Sequence, residues 1–440
     1  MDKSVLPQAA IYGLLDDLHL VGQDYSWCSS LFYFGYLTFQ PIGVLCLMYL
    51  PPGKFVITIS ILWSIILMAT AAVTNFTGMA VSRFFLGAVE GGITPAYILI
   101  TSAWYTQSEI PLRTVIWFCG NGLAFIVQAF ISYGIGRIVS PIAVWKWFFI
   151  IYGLVALLWA VVLWWFMPDT IISCKFLDDR EKAIALERIR ANRTGIASPH
   201  FKMHQLREAL LDVKVWWPAV YIIAWIIPNT VNGSFSTIII KGLGFTSSQA
   251  SLLNAPFGVT QVIGLLVPGY VAYRWKNMRC IMQMAINIPG LVAAIMLNTL
   301  PQSNGAANIE NKGRLVALYL VNFTNGSVAL SWALNGSNIS GHTKRTVANA
   351  IQFVGYSTGF IVGPQFFLGT ESPLYPTALK AMLVCFSITQ IMPAGYYALM
   401  TWENRRKAAK LQELGRNLVE ENEEFMDKTD KEQLGFVYMK

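Results

Sequence analysis

Eleven stretches of this chain are apolar over the length that a bilayer demands, about 20 residues per spanning helix. Their approximate limits are 26–48, 55–73, 78–100, 114–136, 147–167, 215–238, 251–273, 280–300, 314–338, 346–367 and 380–401. Lipid offers no partner to a backbone N–H or C=O, so each stretch must close its hydrogen bonds within itself. The fold class that follows is an all-α polytopic membrane protein. Charge agrees: 13% of the 440 residues are charged, about half the share usual in soluble domains.

Short loops join most of the stretches: "YLPPGK", "TNFTG", "PQSNGAANIENKG", "GTESPLYPT". One connection differs. Residues 168–214 carry seven acidic and nine basic side chains and divide the chain into helical halves at 1–167 and 215–401, followed by a tail at 402–440. Basic residues cluster on the inner side of membrane proteins. With the 168–214 linker inside, 24 of the 32 Lys and Arg fall inside and six outside, so linker and tail are expected to be cytoplasmic. The net charge of +8 is then a topology signal and does not imply nucleic acid.

The opening "MDKSVLPQAAIYGLL" has two charges and Pro7 and is too short to span. It reads as the outer end of a first helix only partly present, beside eleven complete spans. Counting it gives six helices in each half, the layout of transporters that hold substrate between two halves near the midplane. Six cysteines show neither zinc-ligand nor redox spacing. No Walker motif, catalytic triad or metal cluster occurs, so neither an enzyme, a bound cofactor nor a metal is expected.

Four segments carry a family resemblance: "LVGQDYSWCSSLFYFGYL", "RFFLGAVEGGITPAYILITSAWYTQSEIPLRT", "IIIKGLGFTSSQASLLNAPFG" and "SNISGHTKRTVANAIQFVGYSTGFIVGPQFF". The chain resembles the fungal allantoate permease group of anion:cation symporters in the major facilitator superfamily, from about residue 2 to 404. The loop after the first full span lacks the Asp-Arg-x-Gly pattern common elsewhere in the superfamily, but its "LPPGK" is similar to the short loop of this group. The resemblance implies two six-helix halves working by alternating access. It implies proton-driven uptake of a small carboxylate nutrient, such as allantoate, nicotinate or pantothenate, by a monomer in the fungal plasma membrane. By the same resemblance Asp2 is a proton site and Lys3 a substrate contact.

Charge inside a span needs a reason, since it is costly in hydrocarbon. Arg83, Gly87, Glu90 and Gly91 share one helical face, and the two glycines let another helix come close. Arg83 is expected to attract a carboxylate and Glu90 to exchange a proton, because burial in low dielectric raises a carboxyl pKa. Tyr33, Tyr36 and Trp332 are candidates to stack on or cap a substrate. Asn322, Asn325, Ser331, Asn335 and Asn338 make one face of the 314–338 span too polar for lipid, and Asn349, Gln352, Tyr356 and Ser357 continue it on the next. Asn325, Asn335, Gln352 and Tyr356 join the candidate substrate contacts. "IPNTVNG" interrupts the 215–238 span, as in helices broken at transport sites. The tail stretch "ENRRKAAKLQELGRNLVEENEEF" reads as a solvated helix or disordered segment. A non-transporting sensor and an inactive shortened member of the family are the alternative functions.

Overall fold

The computed structural model describes residues 2–106, 109–174, 176–190, 201–275, 277–301, 309–414, 427–433 and 435–440. Among them every regular element is helical. The chain opens with a 3-10 turn (Asp2–Ser4), α1 (Val5–Ala9), a π-helical turn (Ala10–Leu14) and α2 (Leu15–Asp17). Gly13, at φ 99°, makes the kink in that turn, a conformation open to glycine because it lacks a Cβ. The rest of the first half is α3 (Asp24–Tyr49), α4 (Pro52–Ala69), α5 (Phe76–Glu90), α6 (Ile93–Trp104), α7 (Ile110–Ile135) and α8 (Val144–Phe166). The linker holds α9 (Asp179–Arg190) and α10 (Met203–Leu211).

The second half begins with α11 (Val213–Thr230), which passes through a π-helical turn (Val231–Phe235) into α12 (Ser236–Gly242). The interruption expected from "IPNTVNG" is thus a local change of helical pitch and not a gap. There follow α13 (Ser247–Leu252), α14 (Ala255–Arg274), α15 (Arg279–Thr299), α16 (Ile309–Phe323), α17 (Gly326–Asn338), α18 (His342–Val362) and α19 (Pro376–Leu414). Local chemistry sets several starts. Asn75 caps α5 by accepting from the Gly78 N–H at 2.8 Å, and Thr246 with Gln249 forms a reciprocal capping box on α13.

Among the described residues ten helical stretches are long and apolar enough to cross a membrane. The segment expected at 346–367 is helical as α18 but is not among the ten. Its polar residues face protein: Gln352 is buried and bonds Ser331 Oγ at 3.1 Å. Close packing follows the glycines. A Cβ on Gly87 would run into the Phe32 carbonyl, and one on Gly91 would sit 2.9 Å from the Tyr36 carbonyl oxygen, so α3 lies directly against α5.

The halves meet in a seam at the end away from the linker. Ser30 Oγ donates to the Ile361 carbonyl at 2.7 Å, Ser26 Oγ to that of Phe367 at 3.3 Å, and Gln365 Nε2 to Ser30 Oγ at 3.0 Å. The opening helix adds Thr237 Oγ1 to the Pro7 carbonyl at 2.5 Å and Lys241 Nζ to that of Ile11 at 3.0 Å. Tyr33 of α3 stacks on Phe360 of α18 with ring centroids 4.2 Å apart and planes 2° from parallel. Helix directions place all of these on the side opposite residues 168–214.

Candidate functional site

Just on the linker side of that stacked pair lies a cation–carboxylate pair. The 3-10 turn Asp2–Ser4 brings Lys3 to the end of α5, where Glu90 is the last residue. Lys3 Nζ stands 2.7 Å from Glu90 Oε1. The Lys3 side chain keeps 38% of its exposure and Glu90 14%, although the spans surround them. Solvent reaches the pair, and the seam lies on its far side.

Aromatic rings enclose the ammonium. Lys3 Nζ lies 5.5 Å from the Phe32 ring centroid, 6.0 Å from Tyr33 and 5.8 Å from Tyr36, within the range of cation–π attraction. From the other half, Tyr356 on α18 is close enough for its charge state to couple to Lys3 and Glu90, and its ring meets Phe360 edge-on at 5.0 Å. One ammonium, one carboxyl and three phenols therefore lie close together. Such a group can hold an anionic head on Lys3, accept or release a proton at Glu90, and pack a flat apolar body between rings.

The expected residues divide around this centre. Lys3, Glu90, Tyr33, Tyr36 and Tyr356 come together. The Asp2 backbone lies in the same turn, but its side chain is outside the described residues. Arg83 does not join the group. It is 3% exposed, with its guanidinium carbon 5.8 Å from the Phe149 ring of α8 and its charge felt by Tyr25 and Cys28 of α3. Tyr25 in turn donates to the Ser234 carbonyl across the seam at 2.5 Å. Arg83 and Glu90 do share a helix, but Arg83 sits two turns nearer the closed end.

The polar residues of the second half are mostly engaged with one another. Asn325 Nδ2 donates to Asn322 Oδ1 at 2.8 Å, Asn335 Nδ2 to Asn349 Oδ1 at 3.0 Å, and Asn338 Nδ2 to Tyr396 Oη at 3.1 Å. Trp332 meets Phe353 edge-on, ring centroids 4.3 Å apart, and packs in a cluster that also holds Tyr356. Two residues outside the expected set stand out. Asn229 and Asn232, at the α11 pitch change, are buried and donate their amides to the Trp225 carbonyl at 2.8 Å and to Asn322 Oδ1 at 3.4 Å. Both Oδ1 atoms are buried without a hydrogen-bond partner among the described residues. The turn that holds Asn232 packs against Asp2–Ser4. "IPNTVNG" was the signal, but only the fold shows which of its atoms remain open.

Comparison with known proteins agrees with this architecture. Residues 1–364 match the family model described as Major Facilitator Superfamily. An uncharacterized transporter of Schizosaccharomyces pombe is 38% identical over 444 residues, covering 100% of this chain and 83% of that protein. The allantoate permease of Saccharomyces cerevisiae is 30% identical over 445 residues, covering 100% and 82%, and a thiamine pathway transporter of the same yeast is 30% identical over 443, covering 100% and 82%. Among solved structures, the xylose transporter from E. coli in a partially occluded inward-open conformation aligns with TM-score 0.66 at 11% identity, covering 89% of this chain and 92% of that one. A bacterial homolog of the human lysosomal transporter Spinster, inward-facing, aligns with TM-score 0.63 at 14% identity, covering 90% and 92%. At such identities the two structures speak for the fold alone.

Proposed function

The chain belongs to the major facilitator superfamily and is an integral membrane transporter, and on that premise we propose that it couples inward movement of a small organic anion to protons. The observation that carries the reading is the 2.7 Å pair of Lys3 and Glu90 on the linker side of the seam. An ionised Glu90 competes with an anionic substrate for the Lys3 ammonium. When a proton neutralises Glu90, Lys3 is released to bind a substrate carboxylate, and the local charge stays balanced. Loss of that proton re-forms the pair and expels the anion. One proton and one anion therefore enter and leave the site together.

The basic-residue bias supports a cytoplasmic linker, so the pair lies on the cytoplasmic side of the seam. The pair as formed, on that side, corresponds to the state after release. Relatives that include an allantoate permease support a carboxylate nutrient. Asn229 and Asn232 would accept hydrogen bonds from N–H or O–H groups on its body.

The test is uptake by cells expressing the protein, with allantoate, nicotinate and pantothenate as first substrates. Uptake should rise as external pH falls and collapse with an uncoupler. Transport indifferent to both treatments would overturn the coupling. Labelling of an engineered cysteine in 168–214 from outside intact cells would overturn the orientation.

A further inference from the structure

Beyond the stretch expected to be a solvated helix or disordered segment, the chain segment described at 427–433 and 435–440 returns to the protein. It docks on the linker-side end of the second half, and Asp430 has no exposure at all. Its carboxylate accepts from Lys214 Nζ at 2.5 Å and from Lys344 Nζ at 2.6 Å. Tyr438, 1% exposed, donates to Asp430 Oδ2 at 2.8 Å. Lys344 also holds Asp212 of the α11 cap and Glu208 of α10, each at 2.7 Å.

The segment ties several helix ends to one another. Lys214 and Lys344 begin α11 and α18. The Met439 N–H donates to Asn338 Oδ1 of α17 at 2.7 Å, and the Arg279 N–H of α15 donates to the Lys440 carbonyl at 3.0 Å. From the linker, Gln205 Nε2 donates to the Asp427 carbonyl at 3.1 Å. Two of the tied helices, α11 and α18, are those that carry Asn232, Tyr356 and Phe360 to the site and the seam. Whatever holds their linker-side ends acts on both.

The arrangement is also releasable. A buried charge stripped of its only partner is strongly destabilising, but Lys344 retains Asp212 and Glu208 when Asp430 leaves, and Lys214 retains Asp212, 3.8 Å away. Alternating access rocks one half against the other, which carries the linker-side ends of α11 and α18 toward the first half when that side closes. With the segment docked, those ends are tied back to α15 and α17. We propose that Asp427–Lys440 is a strap whose docking favours the linker-side-open state and whose release lets that side close and the seam part.

A seam reporter tests this independently of substrate and coupling. Ser247, whose Oγ donates to the Ile11 carbonyl at 2.9 Å, becomes Ser247→Cys in a background with the partly exposed Cys46 and Cys119 replaced by serine. Maleimide reactivity is then followed in solubilised protein. Asp430→Asn, or deletion of 427–440, should raise the labelling rate several-fold. Locking the strap with Ser340→Cys and Lys428→Cys, whose native pair joins Ser340 Oγ to the Lys428 carbonyl at 3.1 Å, should lower it, and reductant should restore it. If the release variants fail to fold, the reversible lock alone decides. A disulfide verified by mass that leaves the labelling rate unchanged overturns the proposal.

Discussion

Lys3 Nζ and Glu90 Oε1 meet at 2.7 Å although they lie far apart in sequence, one in the opening turn and the other the last residue of α5. The pair gives each partner a separable role. Glu90→Gln keeps size and hydrogen-bonding capacity but cannot titrate. That variant should retain counterflow exchange within about threefold and lose gradient-driven accumulation. Lys3→Met should instead weaken the apparent affinity about 10–100-fold, since a hydrogen bond to a charged group contributes about 1.5–3 kcal/mol. Surface abundance, exchange and proton-driven uptake measured on each variant decide between these roles. Normal accumulation in Glu90→Gln would remove Glu90 from the mechanism.

Arg83 makes a different prediction because it lies behind the seam, buried over Phe149. A site that alternates would reach Arg83 only when the far side opens. Arg83→Lys loses the planar fork and the ring contact that a lysine cannot reproduce. Substrate affinity measured from outside should fall at least tenfold, with affinity from the linker side nearly unchanged. Equal loss on both sides would make Arg83 a packing residue.

The all-helical membrane fold was legible because hydrocarbon imposes length and polarity on each segment separately. Spacing along one helix was legible too: Gly87 and Gly91 do admit α3. Pairing between helices was not. Sequence spacing put Arg83 with Glu90 because both lie on one face, but it cannot say that the opening turn delivers Lys3 to Glu90 and leaves Arg83 to Phe149 and Tyr25. The Asn residues of α17 had the right polarity for a pathway, and polarity alone does not distinguish lining a path from bonding a neighbour. The docked segment was missed because Asp430 and Tyr438 look like ordinary tail residues until Lys214 and Lys344 are seen facing them.

Glycine chemistry supplies a control pair. A Cβ on Gly87 would collide with the backbone carbonyl of Phe32, and backbone cannot turn aside as a side chain can. Gly87→Ala should therefore separate α3 from α5 and lower the melting temperature in detergent by several degrees or prevent folding. At Gly120, inside α7, a Cβ would meet nothing within 4 Å. Gly120→Ala should be neutral or stabilising by up to about 1 kcal/mol, the helix-propensity difference between the two residues. Similar melting temperatures for the two variants would mean that the α3–α5 approach is not tight.

Docking of the strap should weaken in acid, where its carboxylates protonate. Burial opposes the charged form of Asp430, yet the Lys344 and Lys214 ammoniums hold its carboxyl below the ordinary carboxylate range, and Asp212 is lowered in the same way. A carboxyl whose pKa is depressed by docking contributes stability in full above its free value, about 3.9, and loses it as pH falls through the lower docked value. Lys344 has the opposite sign: burial works against its charge, but Asp430 and Asp212 raise its pKa above the ordinary lysine value. Its contribution is complete below about 10.4 and disappears as pH rises through the higher docked value. Lys407, whose ammonium donates to the Asp430 and Gln433 carbonyls, is pushed down by burial to about 8, so hydrogen-exchange protection of 427–440, corrected for intrinsic rates, should drop in acid, hold steady from about pH 5 to 7, and rise through about pH 8 as Lys407 gives up its buried charge. Asp430→Asn should show weaker protection throughout and a smaller drop in acid. A midpoint near neutrality, in the range where histidine titrates, would show that a group other than these carboxylates, Lys344 and Lys407 governs docking.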